Sequence, residues 1–382
     1  MKGKLKQTKG ITLIALIITI IILLILAVVS IRLVVNNGIL GKAEHAVNKY
    51  QEEEIEEQIK LAYAEWQTAQ FTGETRTAAE FMQAKLREIL SDNNLTVTEK
   101  NGNFTVTLSD ETEYEYNKST GIVGEKVYTY IEKSTEKADS YVGYYADIDE
   151  DGTVDGVIFV DLLTGSVRDT QQWEDSNGVY TLPTNVTESN VNTYYISAES
   201  YTDPYFGTHP VISPKNKNGE KRFYIMQLSD FTTPAKTDGT EAENYPAYTS
   251  YYWYKNASGK MNASDTSVNF GAGKTNTGKM IKIWNANGGA GGYSGATQDK
   301  QDIWKHIQTK YNEGWFIPSR AEWSAFANEL GITSSNYNGL SNFYWSSSQY
   351  DTLNAWCTDF SLGFMDFSYV SHERYVRLAA TF

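Results

Sequence analysis

Asp147, Asp149, Asp151 and Asp155 stand in the run YYADIDEDGTVDGVIFVDL, spelling D-x-D-x-D-G-x-x-D. Alternate carboxylates at that spacing converge on one hard cation, and Gly152 permits the sharp turn. Calcium is the cofactor the pattern suits. It departs from the helix-flanked calcium loop in two ways. Ile158 occupies the twelfth position, where a bidentate Glu is usual, and the flanks, Tyr144-Tyr145 and Val157 to Val160, read as strands. The other reading is a solvated acidic turn, in which screening keeps the carboxylate repulsion modest. Catalytic chemistry finds no comparable pattern. Cys357 is the only cysteine and there are four histidines, so neither a dithiol nor a His-rich metal site is expected. No nucleophile–base pair or metal triad emerges, and the chain reads as a non-enzyme. A lone Cys on a strand is more often packed than nucleophilic.

A second set of residues suits recognition. Among the C-terminal strands lie Tyr350, Asp351, Thr352, Leu353, Asn354, Phe364, Asp366, Ser368, Tyr369, Ser371, His372 and Arg374. Tyr offers contact area at low entropy cost, and short polar side chains offer adaptable hydrogen bonds. As a set these are the candidate ligand-binding residues; singly, each also reads as a solvated loop position. Strand alternation puts Trp356, Phe360 and Leu362 on a core face, with Cys357, Asp359 and Ser361 opposite. Val376, Leu378 and Ala380 alternate as a closing strand.

The elements that must position these residues are legible in part. Ala43 to Gln67 carries Ile55, Ile59, Tyr63 and Trp66 at helical spacing, with charges on the other face. Thr77 to Leu90 is a second amphipathic helix. LTVTEKNGNFTVTL reads as a hairpin about Asn101-Gly102, and Thr112 to Asn117 as a further strand. A polar linker follows. From Val127 on, short strands, dense aromatics and long Gly/Asn/Ser/Thr loops are expected. Helices are predicted in DIWKHIQTKYNEG and SRAEWSAFANELG, the latter capped by Ser319 with Glu322 three residues on. Asn285 to Gly295 reads as a loop.

At the N-terminus Lys2, Lys4, Lys6, Lys9 and Gly10 precede an uncharged run, Ile11 to Ile31, whose only polar members are Thr12, Thr19 and Ser30. As a helix rising ~1.5 Å per residue it spans a hydrocarbon core of ~30 Å. The lysines predict a cytoplasmic N-terminus and an extracellular bulk, a single-pass cell-membrane protein. A basic stretch, then Gly, an aliphatic residue, Thr and Leu, resembles the type IV prepilin leader. That resemblance implies processing by prepilin peptidase between Gly10 and Ile11, other pilins as partners, and incorporation in a pilus. It departs from the family at Ala15, where pilins carry Glu, which favours a minor or tip pilin or a pilin-like anchored protein. A plain uncleaved anchor is the alternative.

The C-terminal residues resemble a bacterial C-type lectin-like fold. The marks are Trp315-Phe316-Ile317-Pro318-Ser319 before a helix with Glu322-Trp323, then Tyr344-Trp345-Ser346-Ser347-Ser348, Ala355-Trp356, Phe360 and Tyr375-Val376-Arg377. Related forms occur in the formylglycine-generating-enzyme superfamily and in variable proteins of diversity-generating retroelements. The second likeness implies that the recognition residues are the diversified ones. The calcium-and-sugar tripeptides of sugar-binding lectins are absent, as is the cysteine pair of the formylglycine-generating enzymes. The fold class expected is therefore α+β, a long N-terminal hydrophobic helix on a small antiparallel sheet (pilin-like), followed by a C-type lectin-like α+β domain. The divisions are leader 1–10, transmembrane helix 11–34, pilin-like module 35–118, linker 119–126 and ligand-binding domain 127–382. The function expected is that of a surface or pilus-tip adhesin or receptor, whose ligand is a protein or glycan on a cell or phage surface. A structural pseudopilin or minor pilin without its own ligand is the alternative. The net charge of −14 argues against nucleic acid and anionic lipid as partners.

Overall fold

The computed structural model describes residues 39–100, 102–168, 173, 180–240, 243–257, 261–262, 265–286, 291–340 and 343–382. The chain divides into two compact units, Met1–Val127 and Tyr128–Phe382.

In the first unit, helices α1 (Ile39–Gln70) and α2 (Ala78–Ile89) accompany an antiparallel sheet of β1 (Thr96–Lys100), β2 (Asn103–Thr107), β3 (Glu113–Asn117) and β4 (Ile122–Glu125), in sequence order. Strands β2 and β3 bury every second residue, because one face packs on the helices and the other meets water. Ile59, Ala62 and Tyr63 of α1, Met82 and Leu86 of α2, and Phe104, Val106, Tyr114 and Tyr116 of the sheet form one core. The Tyr63 ring lies 5.4 Å from Phe104 and 5.0 Å from Tyr116. Thr77 caps α2: its hydroxyl accepts from the Glu80 amide at 3.3 Å, and Glu80 Oε2 accepts from the Thr77 amide at 2.9 Å. The β1–β2 turn needs the positive φ of Gly102, +80°. Part of the expected linker is structured, since Ile122–Glu125 is a strand paired with β3.

The expected fold class requires correction. The leader with Gly10 and Ile11, and the predicted span 11–34, lie outside the described residues. Among the described residues no helix is long and apolar enough to cross a membrane. The one long helix, α1, is rich in charge, with glutamates at 52, 53, 54, 56 and 57. The chain is a mixed α+β fold with many strands and few helices. That finding counts against the expected long apolar helix and, with it, the pilin, transmembrane and single-pass membrane assignments; residues 1–38 lie outside its reach.

The second unit opens with β5 (Thr129–Tyr130), β6 (Tyr145–Ala146), β7 (Gly156–Asp161), β8 (Thr193–Asp203), β9 (Gly207–Asn216) and β10 (Phe223–Met226). Then come β11 (Tyr251–Tyr252) and four helices: α3 (Gly273–Ala286), α4 (Ile303–His306), α5 (Gln308–Asn312) and α6 (Arg320–Glu329). It ends with β12 (Phe343–Gln349), β13 (Asn354–Asp359), β14 (Phe364–Tyr369), β15 (Glu373–Arg374) and β16 (Ala379–Thr381). A seven-stranded sheet runs β16-β10-β7-β6-β9-β8-β5, and a three-stranded antiparallel sheet runs β12-β13-β14. Strands β8 and β9 hold 11 and 10 residues, longer than the short strands expected. The predicted helix in DIWKHIQTKYNEG is two short ones, and α3 runs through Ala286 into the expected loop.

Buried tryptophans tie the three-stranded sheet into place, and their N–H groups are satisfied by backbone carbonyls, as burial demands. Trp345 donates to Tyr251 O (2.8 Å), Trp323 to Trp345 O (3.1 Å) and Trp253 to Ser346 O (2.8 Å). Where β7 ends and β10 begins, the fully buried Arg222 makes a forked pair with Asp161, 2.7 and 2.8 Å, and donates to Glu132 O at 2.7 Å. Asp161 also accepts the Leu163 amide at 3.1 Å.

Helix α6 starts where the sequence places it. Ser319 Oγ accepts from the Glu322 amide at 3.3 Å, and Glu322 Oε2 accepts from the Ser319 amide at 2.6 Å. Glu322 Oε1 takes the Gly271 amide at 3.1 Å. Nothing larger than Gly fits at 273, where a Cβ would collide with Glu322 Oε2 and the Phe316 ring. Burial pushes the Glu322 carboxyl up from 4.5 to about 7. The folded chain therefore keeps a proton there that the unfolded chain loses near 4.5. That contribution is complete below 4.5 and fades as pH rises through about 7, by a total on the order of 3 kcal/mol. Urea titrations from pH 4.5 to 7.5 should show stability falling across this window. Glu322→Gln should flatten the slope, while lowering stability throughout because its NH2 must face an amide donor.

Candidate functional site

The C-terminal sheet presents an aromatic face. In the β13–β14 register, Trp356 lies opposite Phe367 and Asn354 opposite Tyr369. Successive residues alternate between faces, so Trp356, Phe367 and Tyr369 share one. Tyr350, just after β12, joins them: its ring stacks on Phe367 at 4.2 Å and 5°, and meets Trp356 edge-on at 4.8 Å. Beneath them the buried Arg320, first residue of α6, sets its guanidinium 3.5 Å from the Trp356 ring centroid. A cation on an aromatic face is attractive, and more so when desolvated. Helix α6 thereby props the patch from below. The outer rings remain open to solvent, with Tyr350 43%, Phe367 45% and Tyr369 53% exposed. Leu353 is exposed beside them in sequence, and the His372 ring meets Tyr369 edge-on at 5.4 Å.

The predicted recognition residues do not act as one surface. Tyr350 and Tyr369 belong to the patch and His372 borders it, while Leu353 is exposed in the turn with its carbonyl accepting the Val370 amide at 3.0 Å. Asp351 instead organises the β12–β13 turn: its Oδ1 accepts the amides of Leu353 (2.7 Å) and Asn354 (2.8 Å), and the Asn354 amide group (2.9 Å). Partial burial, the largest single influence, pushes its carboxyl up, but those amides together outweigh it and hold the carboxyl below the usual range. Asn354 is buried in this turn; Thr352 and Ser371 are exposed. Phe364, Asp366 and Ser368 alternate onto the opposite face of β14. There Arg374 Nη2 donates to Ser368 Oγ at 2.8 Å, and the guanidinium sits 4.5 Å from the Phe343 ring. His372 Nδ1 lies 3.2 Å from the same hydroxyl.

Trp356 and Phe367 were missing from the predicted set. The alternation of Trp356, Phe360 and Leu362 is corrected. Phe360 is buried, Trp356 is partly open and Leu362 is 62% exposed, while Cys357 and Asp359 are buried. Burial pushes the Cys357 thiol up to about 12, so it carries no thiolate at neutral pH.

The acidic run forms the hairpin between β6 and β7, with Tyr145 opposite Val157 and Ala146 opposite Gly156. Three of its four aspartates converge: one ligand atom each of Asp147, Asp149 and Asp151 lies within 4.8 Å of the others. Asp155 is engaged elsewhere, accepting the Ile148 amide at 2.7 Å. Asp147 accepts the amides of Asp151 (3.0 Å) and Gly152 (2.9 Å). Burial first, then the neighbouring carboxylates, push Asp147 up, and the same causes raise Asp155 to about 6. A divalent cation would reverse the carboxylate repulsion. Ile158, inside β7 and buried, supplies no ligand. If calcium occupies the loop, saturating it at a hundred times Kd should add about 2.7 kcal/mol of stability. Asp149→Asn with Asp151→Asn should abolish the calcium-dependent rise in Tm. A melting curve indifferent to millimolar calcium would leave only the acidic turn.

Compared with known proteins, the chain matches no family model, no curated protein and no solved structure.

Proposed function

We propose that the second unit is the binding head of an adhesin or receptor, and that its Tyr350–Trp356–Phe367–Tyr369 face docks a protein on a cell or phage surface. The observation carrying this reading is a cluster of solvent-open rings on a strand pair backed by a buried guanidinium. Aromatic anchors of this kind dominate binding energies at protein interfaces, whereas packing alone gives them no reason to face water. A protein partner suits the patch better than a sugar, because Tyr350 and Phe367 spend a ring face on each other and so leave less ring surface for a pyranose to stack on. The acidic chain suits a partner that is not nucleic acid.

The test is adherence of the full chain to whole cells and to phage particles, compared with a variant carrying Tyr350→Ala, Phe367→Ala and Tyr369→Ala. Loss of adherence with an unchanged circular dichroism spectrum supports the reading. Equal adherence by a folded variant sinks it in favour of a structural role without a ligand.

A further inference from the structure

A cavity of about 520 Å³ opens in the second unit, lined by Thr233, Lys236, Glu243, Tyr245, Lys305 and His306 among others. Bridges between Thr233 and Tyr248 and between Lys236 and Tyr245 fold the 233–248 segment back on itself. That fold brings Lys236 to the cavity, and α4 contributes Lys305 and His306. The His306 ring is fixed by edge contacts with Tyr245 (4.9 Å) and Tyr248 (5.4 Å), and its Nε2 lies 2.7 Å from Lys300 O. The Lys305 ammonium rides 5.0 Å from the Tyr245 ring centroid.

The charge here runs against the rest of the molecule. The chain holds 47 acidic and 33 basic residues, yet two ammonium groups face this cavity. Among the described residues neither Lys236 nor Lys305 has a carboxylate within ion-pair distance, although Glu243 and Asp299 attract the Lys305 ammonium from farther off. Partial burial, then the charges of Lys300 and Lys236, draw the Lys305 ammonium below the usual lysine range. The carboxylate in the lining, Glu243, is exposed and accepts the Thr240 amide at 3.4 Å. Gathering like charges around a partly desolvated space is unfavourable, and an oxyanion between them would relieve it. The remaining lining mixes Thr232 and Thr309 with Phe231, Pro234 and the Tyr245 ring, a set that suits the hydroxyls and the C–H face of a pyranose.

We propose that this cavity binds the carboxylate or sulfate of an acidic sugar, with Lys236 and Lys305 holding the anion. The site is separate in its residues from the aromatic face and does not depend on what that face binds.

The test is calorimetric titration of the full chain with sodium glucuronate, N-acetylneuraminate, glucose 6-sulfate, glucose and sodium sulfate. At least one acidic sugar should bind with a Kd of about 1 mM or tighter. Glucose should bind at least about tenfold more weakly, and added NaCl should weaken the acidic sugar further. Lys236→Gln and Lys305→Gln should each cost about tenfold or more in affinity with an unchanged melting temperature. Lys236→Gln serves alone if the second variant misfolds. The proposal is overturned if no acidic sugar binds, if glucose binds equally, or if the folded variants bind as the parent does. Sodium sulfate binding as tightly as glucose 6-sulfate would likewise overturn the assignment to a sugar.

Discussion

Tyr350→Ala combined with Phe367→Ala is expected to weaken attachment to the partner at least about a hundredfold, the equivalent of roughly 2.7 kcal/mol. The two rings stack on each other at 4.2 Å, so removing one also strips the other of its support. Their loss leaves Trp356 with Arg320 beneath it and nothing above. Stability should change little, by about 1 kcal/mol, because both rings already have more than two-fifths of their surface in water. Phe364→Ala is the control. Phe364 is as exposed as Tyr350, at 43%, but lies on the opposite face of β14. Its removal should leave affinity within about twofold of the parent. Surface plasmon resonance on the captured partner, with melting curves in parallel, separates these outcomes. Equal losses for the double variant and for Phe364→Ala would mean that the aromatic face is not the contact.

The largest effect on folding is expected from Asp161→Ala. Asp161 and Arg222 are fully buried and joined through both oxygens. Removing the carboxylate strands a buried guanidinium where β7 ends and β10 begins, at a cost of about 3–5 kcal/mol. Urea denaturation should show a large drop in midpoint or no folded baseline at all. Asp161→Leu with Arg222→Met should recover much of the loss, because it removes both charges instead of one. A double variant as unstable as the single one would mean that the hydrogen bonds to Glu132 and Leu163, not the charge pair, hold this region.

Local signals were the legible part of this fold. Ser319 with Glu322 marked the start of α6, and the apolar spacing of Ile55, Ile59, Tyr63 and Trp66 marked α1, because both depend only on neighbours along the chain. The β6–β7 hairpin was legible for the same reason. The alternation from Trp356 to Leu362 was visible too, but its phase was misread. Sequence shows that a strand has two faces; what packs behind it decides which is inside. Here that decision rests on Arg320, distant in sequence and buried under Trp356. Phe367 was overlooked because a lone Phe in a strand reads as core until its cross-strand partner is known to be Trp356. Helix α3 was missed because Gly273 and Gly278 weaken the helical signal, yet each is required by a close neighbour, Glu322 and Phe316 at one and Tyr311 at the other. The strong apolar run Ile11 to Ile31 belongs to residues the structure does not describe.

The burial of Cys357 has a practical consequence. As the only cysteine in the chain, sealed within the β12–β14 sheet, it leaves the native surface without a competing thiol. A Thr352→Cys substitution, at an exposed position of the β12–β13 turn, would therefore take a maleimide dye at one defined place. A fluorophore there would stand at the rim of the aromatic face and report its occupancy directly in a cuvette, before any partner has been named.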